Sequence, residues 1–193
     1  MARFDKDFRP DKQTVGFFQR FHLTRKQRLS LARWGLYGAL LLILSVVQDV
    51  ILCHLDIWGG TTNLVLAAIF TVALMEDVEQ GSVFCLAAAA FYQFSGAGAG
   101  YHIIFLIPVL GVIGAIFRQN YLRKGFSATF LCGGSAVMVY ELTVFVIALF
   151  LRQTHAGRLT AALITGALSV LCIPLLYPIV VSIGKIGGET WKE

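Results

Sequence analysis

Trp34-Gly-Leu-Tyr-Gly-Ala-Leu-Leu-Leu-Ile-Leu-Ser-Val-Val47 opens a stretch of sequence that stays almost continuously apolar as far as Gly184. Comparable blocks recur along it until Ile179-Val-Val-Ser-Ile183. About 20 apolar residues in a helix cross a hydrocarbon core ~30 Å thick. Helices of a soluble domain carry a polar face, and these segments largely lack one. The chain reads as an all-α polytopic membrane protein, built as a six-transmembrane-helix bundle.

Composition points the same way. The 193 residues are 57% hydrophobic and only 14% charged, with a mean hydropathy of +0.74; soluble domains carry about 25% charged residues. The net charge of +5 comes mostly from one end, since nine of the sixteen Lys and Arg precede Trp34. The positive-inside rule assigns such a cluster to a cytoplasmic N-terminus. No nucleic-acid partner is expected. The first apolar run follows about thirty polar residues and lacks a small-residue cleavage site, so it reads as an uncleaved first span.

Spans are expected near 33–53, 61–76, 80–95, 101–118, 126–151 and 159–184, separated by polar or glycine-rich punctuation. Residues 1–32 then form a basic cytoplasmic tail, 33–185 the membrane domain and 186–193 a short cytoplasmic tail. Arg118, Arg123 and Lys124 fall inside in this topology, while the 54–60 and 95–100 loops fall outside without Lys or Arg. Arg152 and Arg158 fall outside, against the trend. In the tail, Val15-Gly-Phe-Phe-Gln-Arg-Phe-His-Leu23 mixes aromatic and basic residues, which suits either a headgroup-bound segment or a merely orientating tail. Thr61–Met75 would be only about 22 Å long in helix. Hydrophobic mismatch with the bilayer is the favoured reading of that shortness, and a broken helix around a cavity is the other.

One residue stands out for chemistry. Glu141 is deep in the fifth span, where a carboxylate costs roughly 2.5–3.5 kcal/mol on insertion-derived scales. It must therefore face polar partners in the bundle or stay neutral. Counting ~1.5 Å per residue from the cytoplasmic side puts Glu141 about 24 Å deep, Gln48 about 22 Å and Gln93 about 18 Å. Asp49, Tyr92 and Tyr140 adjoin these residues, and the six form a candidate intramembrane polar cluster. A structural hydrogen-bond cluster and a ligand, proton or partner contact are the alternatives.

Small residues at helix-packing spacing, Gly35 with Ala39, Gly81 with Cys85 and Ala89, and Gly111 with Ala115, let backbones approach closely. Cys53, Cys85, Cys132 and Cys172 read as small buried hydrophobes, without metal or disulfide spacing. Ser95-Gly-Ala-Gly-Ala-Gly100 lacks the ending of a phosphate loop and reads as an external turn. Pro108, Pro174 and Pro178 are expected to kink spans four and six. His22, His54, His102 and His155 are scattered, and no catalytic, cofactor or metal site is expected.

The order of these features resembles the rod shape-determining protein MreD family. The resemblance covers about residues 34–184: polar Gln48-Asp49 ends the first span, and Thr62-Asn63-Leu64 stands where the family has Pro-Asp-Leu. Glu79-Gln80-Gly81 leads to Tyr92-Gln93-Phe94-Ser95-Gly96 with Gly100, similar to Asp-x-x-Ser-Gly-x-x-x-Gly, and Tyr140-Glu141-Leu142 and Pro174 with Pro178 match later elements. Asn63 and Tyr92 occupy the positions of two family acids and depart from them. The resemblance implies a non-enzymatic component of the bacterial cell-elongation machinery in the cytoplasmic membrane, scaffolding peptidoglycan synthesis. It implies an MreC-like protein as direct partner, with actin-like MreB, a penicillin-binding transpeptidase and a peptidoglycan glycosyltransferase nearby. The family's six-helix fold is similar to substrate-binding subunits of energy-coupling factor vitamin transporters, which supplies the alternative function.

Overall fold

The computed structural model describes residues 25–54, 58–95, 100, 102–122 and 125–187. Its six α-helices are α1 Arg25–Val50, α2 Leu64–Met75, α3 Val78–Phe94, α4 Ile103–Tyr121, α5 Phe126–Phe150 and α6 Leu159–Gly184. α1, α4, α5 and α6 are long and apolar enough to cross a membrane. α2 and α3, at 12 and 17 residues, are shorter. The protein is thus an all-helical membrane-embedded bundle with four helices of spanning length.

The sixth-length helix explains the arrangement of the rest. All 12 residues of α2 are buried, including Phe70, Ile69 and Leu66 with no exposed surface. A helix that is apolar all round belongs in the interior. α2 is the axis, and α1, α6, α5, α4 and α3 follow one another around it. The ring is not closed. α1 and α3 flank a gap, bridged among the described residues by ring contacts of Trp34 and Tyr37 with Phe84 at 5.9 Å and, at one end, by a hydrogen bond from Arg33 to Gln80.

Outside the ring the polarity of a soluble protein is reversed: Ile43, Val83, Phe105, Leu131, Leu171 and Leu175 are all exposed. Lipid gives no hydrophobic drive for helices to associate, so close packing must hold the bundle. Gly81 meets that need, because a Cβ there would lie 2.6 Å from the Ala73 carbonyl oxygen of α2. A Cβ on Gly111 of α4 would lie 2.5 Å from Cys85 Sγ of α3. The Gly81–Cys85 stripe therefore packs within the chain. The other stripe does not: a Cβ on Gly35 would meet nothing within 4 Å.

Several expected boundaries shift. α1 starts at Arg25, inside what the sequence assigns to the tail. The second helix starts at Leu64 rather than 61, because Thr61 to Asn63 are not helical. Arg118 belongs to the last turn of α4 and is 2% exposed, so it is not a loop charge. α4 and α6 continue through Pro108, Pro174 and Pro178 as single helices. α2 is short and buried along its whole length. At about 18 Å against a ~30 Å core it ends inside the protein, where side chains rather than headgroups must satisfy its termini.

Candidate functional site

The N-terminus of α2 is built by an extended approach. Thr61 N–H donates to Thr165 Oγ1 at 3.2 Å, and Asn63 N–H donates to Ser169 Oγ at 2.8 Å. Two residues of extended chain advance ~6.6 Å and four helical residues ~6 Å, so alternate amides match hydroxyls one turn apart on α6. Gly60 allows this closeness, since a Cβ there would lie 2.9 Å from Ile164 Cγ2.

Asn63 is the N-cap and the centre of the cluster. Its Oδ1 accepts from Leu66 N–H at 3.3 Å, and its Nδ2 donates to Tyr92 Oη at 2.8 Å and Glu141 Oε1 at 3.2 Å. Both amide protons are used. Buried Tyr140 stands beside Tyr92. Gln48 Oε1 accepts from Val65 N–H at 2.9 Å, satisfying a further first-turn donor of α2. An acidic group here also complements the positive end of the helix dipole.

The opposite end has a second polar cluster that the sequence reading missed. Glu76, 3% exposed, is the C-cap of α2. Its carboxylate lies 3.4 Å from Arg33 Nη2 and accepts from Tyr37 Oη at 2.9 Å. Arg33 Nη2 also donates to Gln80 Oε1 at 2.9 Å, and Arg118 Nη2 donates to the Glu76 carbonyl at 3.3 Å. Two guanidiniums thus stand at the negative end of the dipole. A usable signal existed: Arg33 and Arg118 lie at span ends beside a loop acid, although residue counting treats them as topological charges.

The structure brings Gln48, Asn63, Tyr92, Tyr140 and Glu141 into one network. Asp49 is exposed at the end of α1, close enough to act electrostatically on Tyr92. Gln93 does not join, and its Oε1 is buried without a hydrogen-bond partner among the described residues. Gly81 packs against α2, Ser95 Oγ donates back to the Tyr92 carbonyl at 2.8 Å, and Gly100 adopts a φ of +155° suited to glycine. Pro174 is exposed on α6. Gly96 lies outside the described residues, as do the aromatic-basic tail segment, Arg123 and Lys124. Asn63 and Tyr92, the two departures from the resembled motifs, touch each other.

The polar groups are therefore engaged in holding α2. A recess lies elsewhere in the bundle: a groove of about 810 Å³ in the gap between α1 and α3. Trp34, Gly38 and Leu42 line one wall, Val83, Ala87 and Phe91 the other, and Glu79 and Gln80 one end. It opens sideways, among apolar side chains, toward the surface that faces lipid. No family model, curated protein or solved structure matches this chain.

Proposed function

We propose that this chain is a non-enzymatic scaffold of the bacterial cell-elongation complex, holding an MreC-like partner in the cytoplasmic membrane. The observation that carries the reading is the division of labour inside the bundle. The buried polar groups cap α2, and the recess lies apart from them, walled by apolar side chains of α1 and α3. A lateral apolar recess suits a protein partner in the membrane. A vitamin-binding subunit needs polar groups converging on a water-accessible pocket.

In this reading all six helices lie within the bilayer thickness and both termini are cytoplasmic. The end with Arg33, Glu76 and Arg118 is then the inner one, in line with the basic residues that precede α1. MreB, a transpeptidase and a glycosyltransferase are reached through the partner. The transporter alternative draws on one feature, the outward-facing Gly35 and Ala39 of α1.

Depletion in a rod-shaped host should round the cells, and affinity purification of the full chain in mild detergent should recover the MreC-like protein. Recovery of an ATPase-linked coupling subunit with a bound vitamin, with cell shape unchanged, would support the transporter instead.

A further inference from the structure

The groove between α1 and α3 has three properties that together define an occupant. Its walls carry small residues, Gly38 and Ala87, opposite aromatic ones. Gly38, like Gly35, has nothing within 4 Å of where its Cβ would be. A glycine inside a helix costs about 1 kcal/mol relative to alanine in host peptides. Among the described residues no neighbour needs the space that these two glycines leave. Small residues of this kind let a second helix backbone approach closely.

The third property is charge. Glu79, in the first turn of α3, is exposed at the end of the groove. Along α3 the groove runs from Glu79 to Phe91, which is about 18 Å of helix. Its walls are apolar over that length, and its acidic rim lies at the end of the bundle that holds Arg33 and Glu76.

We propose that the α1–α3 groove seats one membrane-spanning helix of a different protein, with a Lys or Arg at its inner flank paired to Glu79. Within hydrocarbon an added peptide segment must be helical to satisfy its backbone. Membrane helices carry Lys and Arg at their cytoplasmic flank, so such a helix brings a cation to Glu79. An anionic phospholipid in the groove would bring net negative charge to the same carboxylate, which repels it. A second copy related by a two-fold axis through the groove would place two Glu79 carboxylates at one rim. A foreign helix fits the charge, and these occupants do not. This inference rests on the scaffold reading only in taking the groove as a partner's seat.

The test is photo-crosslinking in living cells of the native host. A benzophenone side chain is placed at exposed Leu42 or Val83 of the full chain, with exposed Leu131 on α5 as a control. Adducts are mapped by mass spectrometry to the residue. The expected result is an adduct at Leu42 and Val83, absent at Leu131, within a spanning segment of one other membrane protein bearing a Lys or Arg at its inner end. Glu79→Lys should cut adduct yield about fivefold. Changing the mapped basic residue to Glu should restore it.

Val83→Trp, which fills the groove and leaves Glu79 in place, should abolish the adduct formed from Leu42. Thermal melting in detergent verifies that both variants fold. Lipid adducts alone, an adduct of twice the chain's mass, no adduct, or indifference to Glu79→Lys in a folded variant would each overturn the proposal. A mapped helix from a protein outside cell-wall synthesis would uphold the groove assignment and refute the scaffold reading. Rounded cells with lipid adducts alone would do the reverse.

Discussion

Asn63 holds Glu141 and Tyr92 with one amide nitrogen, at 3.2 and 2.8 Å, while its carbonyl caps the helix that starts at the next residue. One side chain thus joins α2, α3 and α5. Its removal should act on all three. Asn63→Ala loses an N-cap and leaves buried acceptors without a donor, for a combined cost of ~2–4 kcal/mol. The loss should appear as a lower melting temperature of the purified protein in detergent. A melting temperature equal to wild type would show that the network does not contribute to stability.

Glu141 should behave as an acceptor rather than as an obligatory charge. Glu141→Gln keeps an oxygen for Asn63 and should cost less than ~1 kcal/mol, part of it the lost attraction to the α2 dipole. Glu141→Leu leaves an amide proton of Asn63 unpaired and should cost ~1–3 kcal/mol. The ranking Leu below Gln in melting temperature is the measurement. Reversal of the order would assign Glu141 a role that needs its charge.

At the other end of α2, Arg33→Met should be more damaging than either change at Glu141. It leaves a carboxylate 3% exposed without its guanidinium, and breaking a buried pair from one side costs about 3–5 kcal/mol. The double variant Arg33→Met, Glu76→Met should recover most of that loss. A double-mutant cycle measured by denaturation in detergent gives the coupling directly, and additive effects would rule the pair out.

Glycines should divide into two classes. Gly81→Val places side-chain atoms against the Ala73 backbone and should separate α2 from α3, lowering stability by several kcal/mol, about 1–3 from overpacking alone. Gly35→Ala meets nothing and should leave stability unchanged or raise it by ~0.5–1 kcal/mol. Melting temperatures of the two variants side by side decide this. Equal losses would remove the distinction between internal and outward small-residue faces.

Cysteine labelling from outside the cell tests orientation. With the native cysteines replaced, a probe at His54 or Gly157 should react with an impermeant maleimide, and one at Lys185 should not. The opposite pattern would invert the topology.

Much of the architecture was legible because lipid-facing helices need long apolar runs, and α4, α5 and α6 lie within a few residues of where those runs place them. The polar network was half legible. Glu141 is conspicuous because a carboxylate in hydrocarbon is costly, and depth counting put Gln48 at a compatible level. Gln93 has a similar depth but stays outside the network, since depth fixes height and not the side of the helix a residue faces. The cluster of Arg33, Tyr37, Glu76 and Arg118 was only faintly legible, in the placing of its charges at span ends. Charges at span ends ordinarily sit in water, and only the shortness of α2 draws these inward. Asn63 was singled out for a motif position, whereas its weight comes from Tyr92, Glu141 and Ser169, three distant neighbours that no local pattern links.

The capping of α2 also constrains how the protein is made. The N-cap Asn63 gives its backbone N–H to Ser169 and a side-chain proton to Glu141, which lie 106 and 78 residues later. During synthesis α2 leaves the ribosome with Gln48 and Asn63 able to serve Val65 and Leu66, but with the Asn63 amide N–H lacking its acceptor and a length too short to reach both headgroup layers. It cannot be released into lipid as a finished unit, because an unsatisfied backbone in hydrocarbon is too costly. The insertion machinery must therefore shelter α2 until α5 and α6 have entered the bilayer. Chains truncated before Ser169 should be recognised as incomplete and degraded.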